Sequence, residues 1–258
     1  MSYLGPTLDV PRFFAELPSV AQAAGFELEK YGEAAGWPLL ALTRPASAEA
    51  APVIYLSSGI HGDEPAGPLA LLQLLREKYF TDNFHWLICP ALNPGGLLLK
   101  TRENPAGIDV NRDYREPKSP EARQHLDFLD RAFGVFSGRF ALSILLHEDW
   151  ETRGFYMYEL NGTDNPLLGP AVLAAVEPIC GVDRSPVIEG MPARDGLITR
   201  PVSDFADRPL WPEALWLVIK RTDRNTTLEA PSAQALDKRV AALCTAVRAA
   251  VAAMEKTN

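Results

Sequence analysis

The segment Val53–Gly67 reads VIYLSSGIHGDEPAG and joins an apolar run, a polar loop with two glycines and the start of a further apolar stretch. Its first part, Val53–Ser57, is typical of a strand buried on both faces. Pro65 fits the first turn of a helix, which tolerates the missing N–H. The loop therefore follows the carboxyl end of a strand, the place where open α/β sheets bind their ligands.

Working outward, the same patterns predict an α/β fold with a sheet flanked by helices. The other predicted strands are Trp86–Ala91, Ala141–Leu146, Phe155–Leu160 and Leu215–Lys220. The predicted helices are Pro65–Tyr79, Pro120–Phe136, Pro166–Ile179 and Ser232–Met254. Between Cys180 and Pro212 the composition favours long surface loops. No linker is evident, so we expect one domain over residues 1–258, with residues 1–45 as a lead-in packed on the sheet.

The composition excludes several classes of protein. The 258 residues include 25 Lys and Arg against 33 Asp and Glu, a net charge of -8 that opposes binding to nucleic acid or anionic lipid. Cys89, Cys180 and Cys244 are far apart, which favours neither disulfides nor a thiolate zinc site. No apolar run is long enough for a membrane span, and no secretory signal opens the sequence. We expect a soluble, cytoplasmic protein.

Three residues could bind one metal ion. His61 and Glu64 lie three apart in the glycine-containing loop, and His147 closes the apolar run Ala141–Leu146. Two histidines and a carboxylate are a ligand set of catalytic zinc, which keeps a fourth position for water. Taken alone, a histidine at a strand end such as His147 is better explained as a capping residue with backbone hydrogen bonds. His85 and His125 have no such loop beside them, so we expect them to be solvated or structural.

Polar residues that could contact a substrate lie in two other segments. Arg102 could stabilise negative charge on an attacked carbonyl, and Asn111 with Arg112 could bind a carboxylate through paired hydrogen bonds. Glu229 stands at the end of a short β-like stretch before the last helix. Each has a simpler interpretation: the loop around the two arginines could be ordinary surface, and Glu229 could serve as a favourable charge at a helix N-terminus.

Taken together, these motifs resemble the zinc carboxypeptidases. The shared elements occur in the same order along the chain, from Val53 to Ser232: HGDE, KTREN, DVNR, LLHED and TLEAPS. Size and the residues around Tyr31–Leu39 most resemble the compact bacterial branch, which includes murein-peptide amidases. The succinylglutamate desuccinylase and aspartoacylase group shares the H-x-x-E and D-x-N-R elements.

The resemblance implies a mixed, mostly parallel eight-stranded twisted sheet with helices on both faces. It also implies one zinc ion per chain and a role for each motif residue. The zinc ligands would be His61, Glu64 and His147. Asp109 would orient His61, Arg102 would polarise the scissile carbonyl, Asn111 and Arg112 would bind the substrate carboxylate, and Glu229 would be the general base and acid.

One departure concerns a tyrosine. Digestive members of the family carry a mobile tyrosine shortly before the catalytic glutamate, whereas this chain has none after Tyr158. Either Tyr156 or Tyr158 approaches the site from another loop, or something else closes over the substrate. Oligomeric state, a second metal and the preferred substrate side chain are not fixed by any motif.

The favoured function is cleavage of an amide bond next to a free carboxylate, by a metallocarboxypeptidase acting on small peptides. The first alternative is an N-acyl amino acid deacylase resembling aspartoacylase or succinylglutamate desuccinylase. The second, of another class, is a non-catalytic protein that binds carboxylate ligands. Zinc-dependent turnover, and its preference for peptides or N-acyl amino acids, would separate the three.

Overall fold

The computed structural model describes residues 7–136, 139–161, 166–199, 201–204 and 207–256, so the first six residues of the predicted lead-in lie outside the described ranges. The helices are α1 (Val10–Ala23), α2 (Ala66–Arg76), α3 (Pro94–Leu99), α4 (Pro120–Phe136), α5 (Gly169–Cys180), α6 (Glu213–Lys220) and α7 (Leu236–Glu255). The strands are β1 (Glu27–Ala34), β2 (Trp37–Arg44), β3 (Val53–Ser58), β4 (His85–Cys89), β5 (Leu142–Asp149), β6 (Tyr156–Asn161), β7 (Val187–Ile188), β8 (Met191–Pro192), β9 (Leu197–Thr199) and β10 (Arg224–Pro231).

Eight of these strands form one mixed sheet, in the order β1-β2-β4-β3-β5-β10-β6-β9. Four of its neighbouring pairs are parallel: β3 with β4, β3 with β5, β5 with β10, and β6 with β9. The remaining three pairs are antiparallel. The predicted mixed, mostly parallel, eight-stranded sheet is confirmed.

Helices cover both faces of the sheet because its central strands are apolar on both sides. Along β3, Ile54 and Leu56 belong to the core packed under α1, α2, α5 and α7. Val53 and Tyr55 belong to the opposite core, under α4 and α6. The alternation follows from the two-residue period of a strand.

None of the described helices is long and apolar enough to cross a membrane.

Leu215–Lys220 was predicted as a strand, and this prediction is wrong: the run lies in helix α6. A short apolar run shows no clear period, so it fits a buried strand or a buried helical turn equally well. Here Leu215 and Val218, three apart, pack into a small cluster with Leu160, while Trp216 and Leu217 join the core that contains Tyr55. The strand at this point is instead β10, which begins four residues after α6.

The other predicted elements are present, α4 with the predicted bounds and the rest with shifted ends. Four of the five predicted strands correspond to β3, β4, β5 and β6, and the four predicted helices correspond to α2, α4, α5 and α7. The predicted lead-in does more than pack on the sheet. It supplies helix α1 and the antiparallel pair β1 and β2, and β2 joins the sheet through β4. The division into a single domain stays a prediction.

Candidate active site

A cavity of about 290 Å³ opens where β3, β5 and β10 end. These three strands are parallel neighbours, so their carboxyl ends share one edge of the sheet. Residues from all three ends line the cavity, together with residues from the loops that follow β4 and β6. The predicted site residues among them are His61, Glu64, Arg102, Asn111, Arg112, His147 and Glu229.

Two imidazoles and a carboxylate converge at the bottom of this cavity. The Nδ1 atom of His61 lies 2.5 Å from Oε1 of Glu64, and Nδ1 of His147 lies 3.0 Å from Oε2 of the same carboxylate. One ligand atom from each residue falls within a 4.8 Å cluster, and all three residues are buried. Burial alone would raise the pKa of Glu64, but the two imidazoles outweigh it and hold that pKa well below its usual range.

The loop that contains His61 is held against helix α3 through two glycines. Gly62 packs so closely on Gly96 that a Cβ on Gly62 would lie 1.9 Å from the Gly96 carbonyl carbon. Its N–H also donates to the carbonyl of Thr101 at 2.9 Å. Asn93, at the start of α3, accepts from the Gly96 N–H and donates to the carbonyl of Ile60. The NPGG segment thus packs against the loop that contains His61 and Glu64.

Asp109 and Arg102 lie on the other side of His61. The Oδ1 atom of Asp109 is 3.5 Å from Nε2 of His61, and Oδ2 accepts from Nε of Arg102 at 2.9 Å. His61 and Arg102 hold the pKa of Asp109 well below its usual range against the opposing effect of burial. The Nη1 atom of Arg102 comes within 3.4 Å of Nδ1 of His61. Asp109 is therefore placed to orient His61, and it also orients Arg102.

Asn111 and Arg112 lie on a short 3₁₀ helix, Val110–Arg112, at the side of the cavity. Oδ1 of Asn111 accepts from the backbone N–H of Glu213 at 3.0 Å, which leaves its amide nitrogen as the remaining donor group. Arg112 is exposed, and its Nη1 donates to the carbonyl of Asn111 at 2.9 Å. Both residues line the same cavity.

Glu229 lies near the end of β10, opposite His147 on β5 and Tyr156 on β6. Burial raises the pKa of Glu229 to about 8, against the lowering effect of His147. Tyr156 and Tyr158 both line the cavity, and they come from β6 itself. The structure therefore brings both candidate tyrosines to the site, from a strand rather than from a loop.

Several residues around the site were not predicted to have a role. Glu148 follows His147 but is bound elsewhere: Oε1 accepts from the Ala66 N–H at 2.6 Å, at the start of α2, and the carboxylate pairs with buried Arg239. Trp150, Glu189, Met191, Arg208 and Leu210 also line the cavity. Most of them follow β6 in segments without a recognisable motif, so only the fold brings them here.

The two competing histidines have structural contacts. His85, at the amino end of β4, contacts the N–H of Ala46 and the carbonyl of Glu49 through its ring nitrogens. His125 is buried between the hydroxyls of Tyr55 and Tyr114, and burial lowers its pKa to about 3. Neither lies in the cavity lining, which agrees with the expectation that they are structural.

Sequence comparison supports the resemblance. Residues 50–165 match the family model of the succinylglutamate desuccinylase/aspartoacylase catalytic domain. A stretch of 95 residues is 32% identical to carboxypeptidase SOL1 of Arabidopsis thaliana, covering 33% of this chain and 19% of that protein. The chain thus aligns with less than a fifth of that curated relative.

Solved structures match nearly the whole chain. A Shewanella amazonensis SB2B protein provisionally classed as a metallopeptidase has a TM-score of 0.82 at 23% identity, covering 94% of this chain and 92% of that one. A metallo-carboxypeptidase from Burkholderia cenocepacia has a TM-score of 0.71 at 18% identity, covering 97% and 70%. Carboxypeptidase A from Helicoverpa armigera has a TM-score of 0.65 at 14% identity, covering 96% and 71%. The chain therefore has the metallocarboxypeptidase fold, and its residues 50–165 match the succinylglutamate desuccinylase/aspartoacylase catalytic-domain family.

Proposed function

We propose that the protein is a zinc-dependent hydrolase that cleaves an amide bond next to a free carboxylate, as a metallocarboxypeptidase of small peptides. One observation carries this proposal: the three potential metal ligands, Glu229, Asn111 and Arg112 line a single cavity. A binding protein would need the ligands and the carboxylate clamp, but it would have no use for Glu229 beside them.

The donor set fits zinc. Two imidazoles and one carboxylate, buried and close to one another, match the three protein ligands of a catalytic zinc site. A partner for His61 on its far nitrogen, here Asp109, is the usual second contact of a zinc-bound histidine. When bound, zinc supplies Lewis acidity that lowers the pKa of water and polarises a carbonyl. His61, Glu64 and His147 would hold one ion per chain.

The chain's own residues would do the rest of the chemistry. Glu229 has a raised pKa, so its carboxylate can take a proton from water and return it to the leaving amine. Arg102, fixed by Asp109, would stabilise negative charge on the carbonyl oxygen. Asn111 and Arg112 would bind the terminal carboxylate of the substrate, because a guanidinium can donate to both carboxylate oxygens.

N-acyl amino acid hydrolysis is the second candidate, and the match of residues 50–165 favours it. Its substrates also offer a carboxylate next to an amide bond. The lining of the cavity weighs against an acidic acyl group, however. Asp149, Glu151 and Glu189 lie in the same cavity and would repel a succinyl carboxylate. This argument leaves neutral acyl groups, such as acetyl, as the stronger version of the alternative.

The deciding experiment is a turnover screen with zinc-loaded enzyme. The panel contains short peptides, their C-terminal amides, muropeptide fragments, and N-acetyl and N-succinyl amino acids. We expect the free-acid peptides to be hydrolysed fastest and the amides to be poor substrates. Faster turnover of N-acyl amino acids would establish the second candidate. Binding of the panel without any zinc-dependent turnover would establish a non-catalytic carboxylate-binding protein. A cytoplasmic location stays a prediction.

A further inference from the structure

Glu213 is a buried acid for which the proposed chemistry has no use. It is the first residue of α6, and its relative exposure is 0%. Burial raises the pKa of its carboxyl to about 7. A carboxyl group in such a place costs free energy unless its hydrogen bonds are made. The hydrogen-bond partners of the Glu213 carboxyl therefore indicate its role.

Both carboxyl oxygens of Glu213 are held by hydroxyls of strand β3. The Tyr55 hydroxyl donates to Oε1 at 2.7 Å, and the Ser57 hydroxyl donates to Oε2 at 2.9 Å. Both donors are buried, and they precede His61 by six and four residues, respectively. The start of α6 is thus attached to the strand that leads directly to His61.

A second row of contacts fixes Tyr55. Nε2 of His125 lies 3.0 Å from the Tyr55 hydroxyl, and Nδ1 of His125 lies 2.7 Å from the Tyr114 hydroxyl. The Tyr55 hydroxyl donates its hydrogen to Glu213, so the same hydroxyl accepts a hydrogen bond from Nε2–H of His125. The Nδ1 atom of neutral His125 then carries no hydrogen, and it accepts from the Tyr114 hydroxyl. The rings of Tyr55, Tyr114 and His125 are all buried. Hydrogen bonds are thus donated in one direction, from Tyr114 through His125 and Tyr55 to Glu213.

The backbone of Glu213 continues the connection to the substrate side of the cavity. Helix α6 has no side-chain cap from Pro212, and the Glu213 N–H donates instead to Oδ1 of Asn111 at 3.0 Å. An amide whose oxygen is bound in this way can present only its nitrogen to a ligand. The orientation of Asn111 therefore depends on where the first residue of α6 is held.

We propose that Glu213 is a positioning residue: its carboxyl, held by Tyr55 and Ser57, fixes the N–H that orients the Asn111 amide toward the substrate carboxylate. The inference rests on the proposed function, since it assigns the support of the carboxylate clamp in that site. It also connects the clamp to β3, so that the clamp and the metal ligands keep a fixed separation. Glu213 acts through Asn111 and contacts no substrate.

The test compares two matched serine variants. Ser57→Ala removes one hydroxyl from Glu213, and Ser143→Ala removes an equally buried hydroxyl that accepts from Asn225 at 2.7 Å on the neighbouring strand. For the best free-acid peptide of the screen, we expect Ser57→Ala to raise KM about 10-fold with kcat within about 3-fold, the sign of lost ground-state binding. The preference for that peptide over its amide should fall by a similar factor. Ser143→Ala should change neither.

A conservative variant distinguishes a changed orientation of Asn111 from a general loss of protein stability. Glu213→Gln keeps a side chain that can hydrogen-bond both hydroxyls, so its KM should stay within about 3-fold of wild type. Zinc content should be unchanged in all three variants. Equal KM changes in Ser57→Ala and Ser143→Ala, or an unchanged KM in Ser57→Ala, would overturn the proposal.

Hydrogen exchange gives a readout that does not depend on activity. In zinc-loaded protein, the Glu213 amide should exchange at least about 10-fold faster in Ser57→Ala than in wild type or Ser143→Ala, because the N–H bonded to Asn111 opens more often. If the wild type shows no preference for free acids, the proposed function fails, while this exchange still tests the positioning. If the preference is present but exchange at Glu213 is unaltered by Ser57→Ala, the positioning fails and the proposed function stands.

Discussion

Glu229 and His147 are directly paired in the sheet, as register partners on the parallel strands β10 and β5. The proposed base and a proposed metal ligand are thus separated by one interstrand spacing, which backbone hydrogen bonds fix. The same strand β10 places Tyr156 of β6 on the other side of Glu229. Strands hold reactive groups more accurately than loops do, so the relative position of base and metal site belongs to the rigid part of the fold.

Replacing Glu229 by Gln should lower kcat by at least about 10² while zinc content stays the same, because the change removes a proton carrier and no ligand. Steady-state kinetics and metal analysis of the same preparation would measure both. Glu151→Gln, at an exposed position of the cavity lining, is the control and should retain most of the activity. Near-normal turnover of Glu229→Gln would move the base to another carboxylate.

His61→Ala and His147→Ala should each lose most of the zinc, since each removes one of three protein ligands. Protein purified without chelator should contain one zinc per chain in the wild type, measured by mass spectrometry of the metal. His85→Ala is the matched control, because His85 lies at the opposite end of the parallel strands. Full zinc content in the double variant of His61 and His147 would refute the assigned site.

The two arginines of the cavity should differ in kinetic effect. Arg112→Ala should abolish the preference for a free carboxylate over its amide, a discrimination of about 10⁴ in a site built to hydrogen-bond its ligand. Arg102→Ala should instead lower kcat by about 10² to 10³ and leave that preference in place, because it acts on charge that develops during reaction. Equal cleavage of acid and amide by the wild type would exclude the clamp.

Gly62→Ala should disrupt the metal site although Gly62 binds no metal. Its Cβ would lie 1.9 Å from the backbone of Gly96, so the loop with His61 and Glu64 must move. We expect a loss of zinc affinity of at least about 10-fold and a destabilisation of about 3 kcal/mol. Gly107→Ala is the control: its φ of +76° is strained for alanine but its surroundings are open, so it should cost only about 1 kcal/mol and retain zinc.

Stability should depend on pH through Glu213. Its pKa rises from 4.5 to about 7 in the folded chain because it is buried, so folding favours the protonated form. The resulting stability is complete below pH 4.5 and is lost as the pH rises through 7. Glu213→Gln cannot titrate. The free energy of unfolding of wild type relative to this variant should therefore fall by about 2 kcal/mol between pH 5 and pH 8. Denaturant unfolding with chelator measures it, and a constant difference would contradict the assignment.

Much of the sheet could be predicted because its central strands are buried on both faces. Runs such as Val53–Ser58 are uniformly apolar or small, and only a strand or a core helix tolerates that. The same property caused the error at Leu215–Lys220, whose eight-residue helix is too short to show a period. The edge strand β1 was missed because five of the eight residues of Glu27–Ala34 are exposed and four are charged, so the segment had no hydrophobic pattern to detect.

The site could be predicted where its residues are close in sequence or follow a strand. His61 and Glu64 share a loop, so the H-x-x-E spacing was enough to select them as candidates. His147 follows an apolar run, so the predicted end of that strand was enough to select it. The proposed role of Glu213 could not be predicted, because it depends on contacts with Asn111 and Tyr55, which are 102 and 158 positions away. Such contacts between distant residues become visible only in the folded structure. The incorrect assignment of Leu215–Lys220 to a strand also gave no reason to expect a helix beginning at Glu213.

The position of β10 also determines when the candidate site can be completed during synthesis. Strands β5 and β6 follow each other in the chain, yet they are not neighbours, because β10 lies between them. A nascent chain emerging from the ribosome would therefore have all its potential metal ligands before the strand that separates β5 from β6 has been made. Among the described strands β10 comes last in sequence, so it completes the sheet and delivers Glu229 in the same step. Under the proposed function, a chain that stops before β10 would carry the three candidate zinc ligands without the proposed base Glu229, so it could hold the metal without hydrolysing peptides.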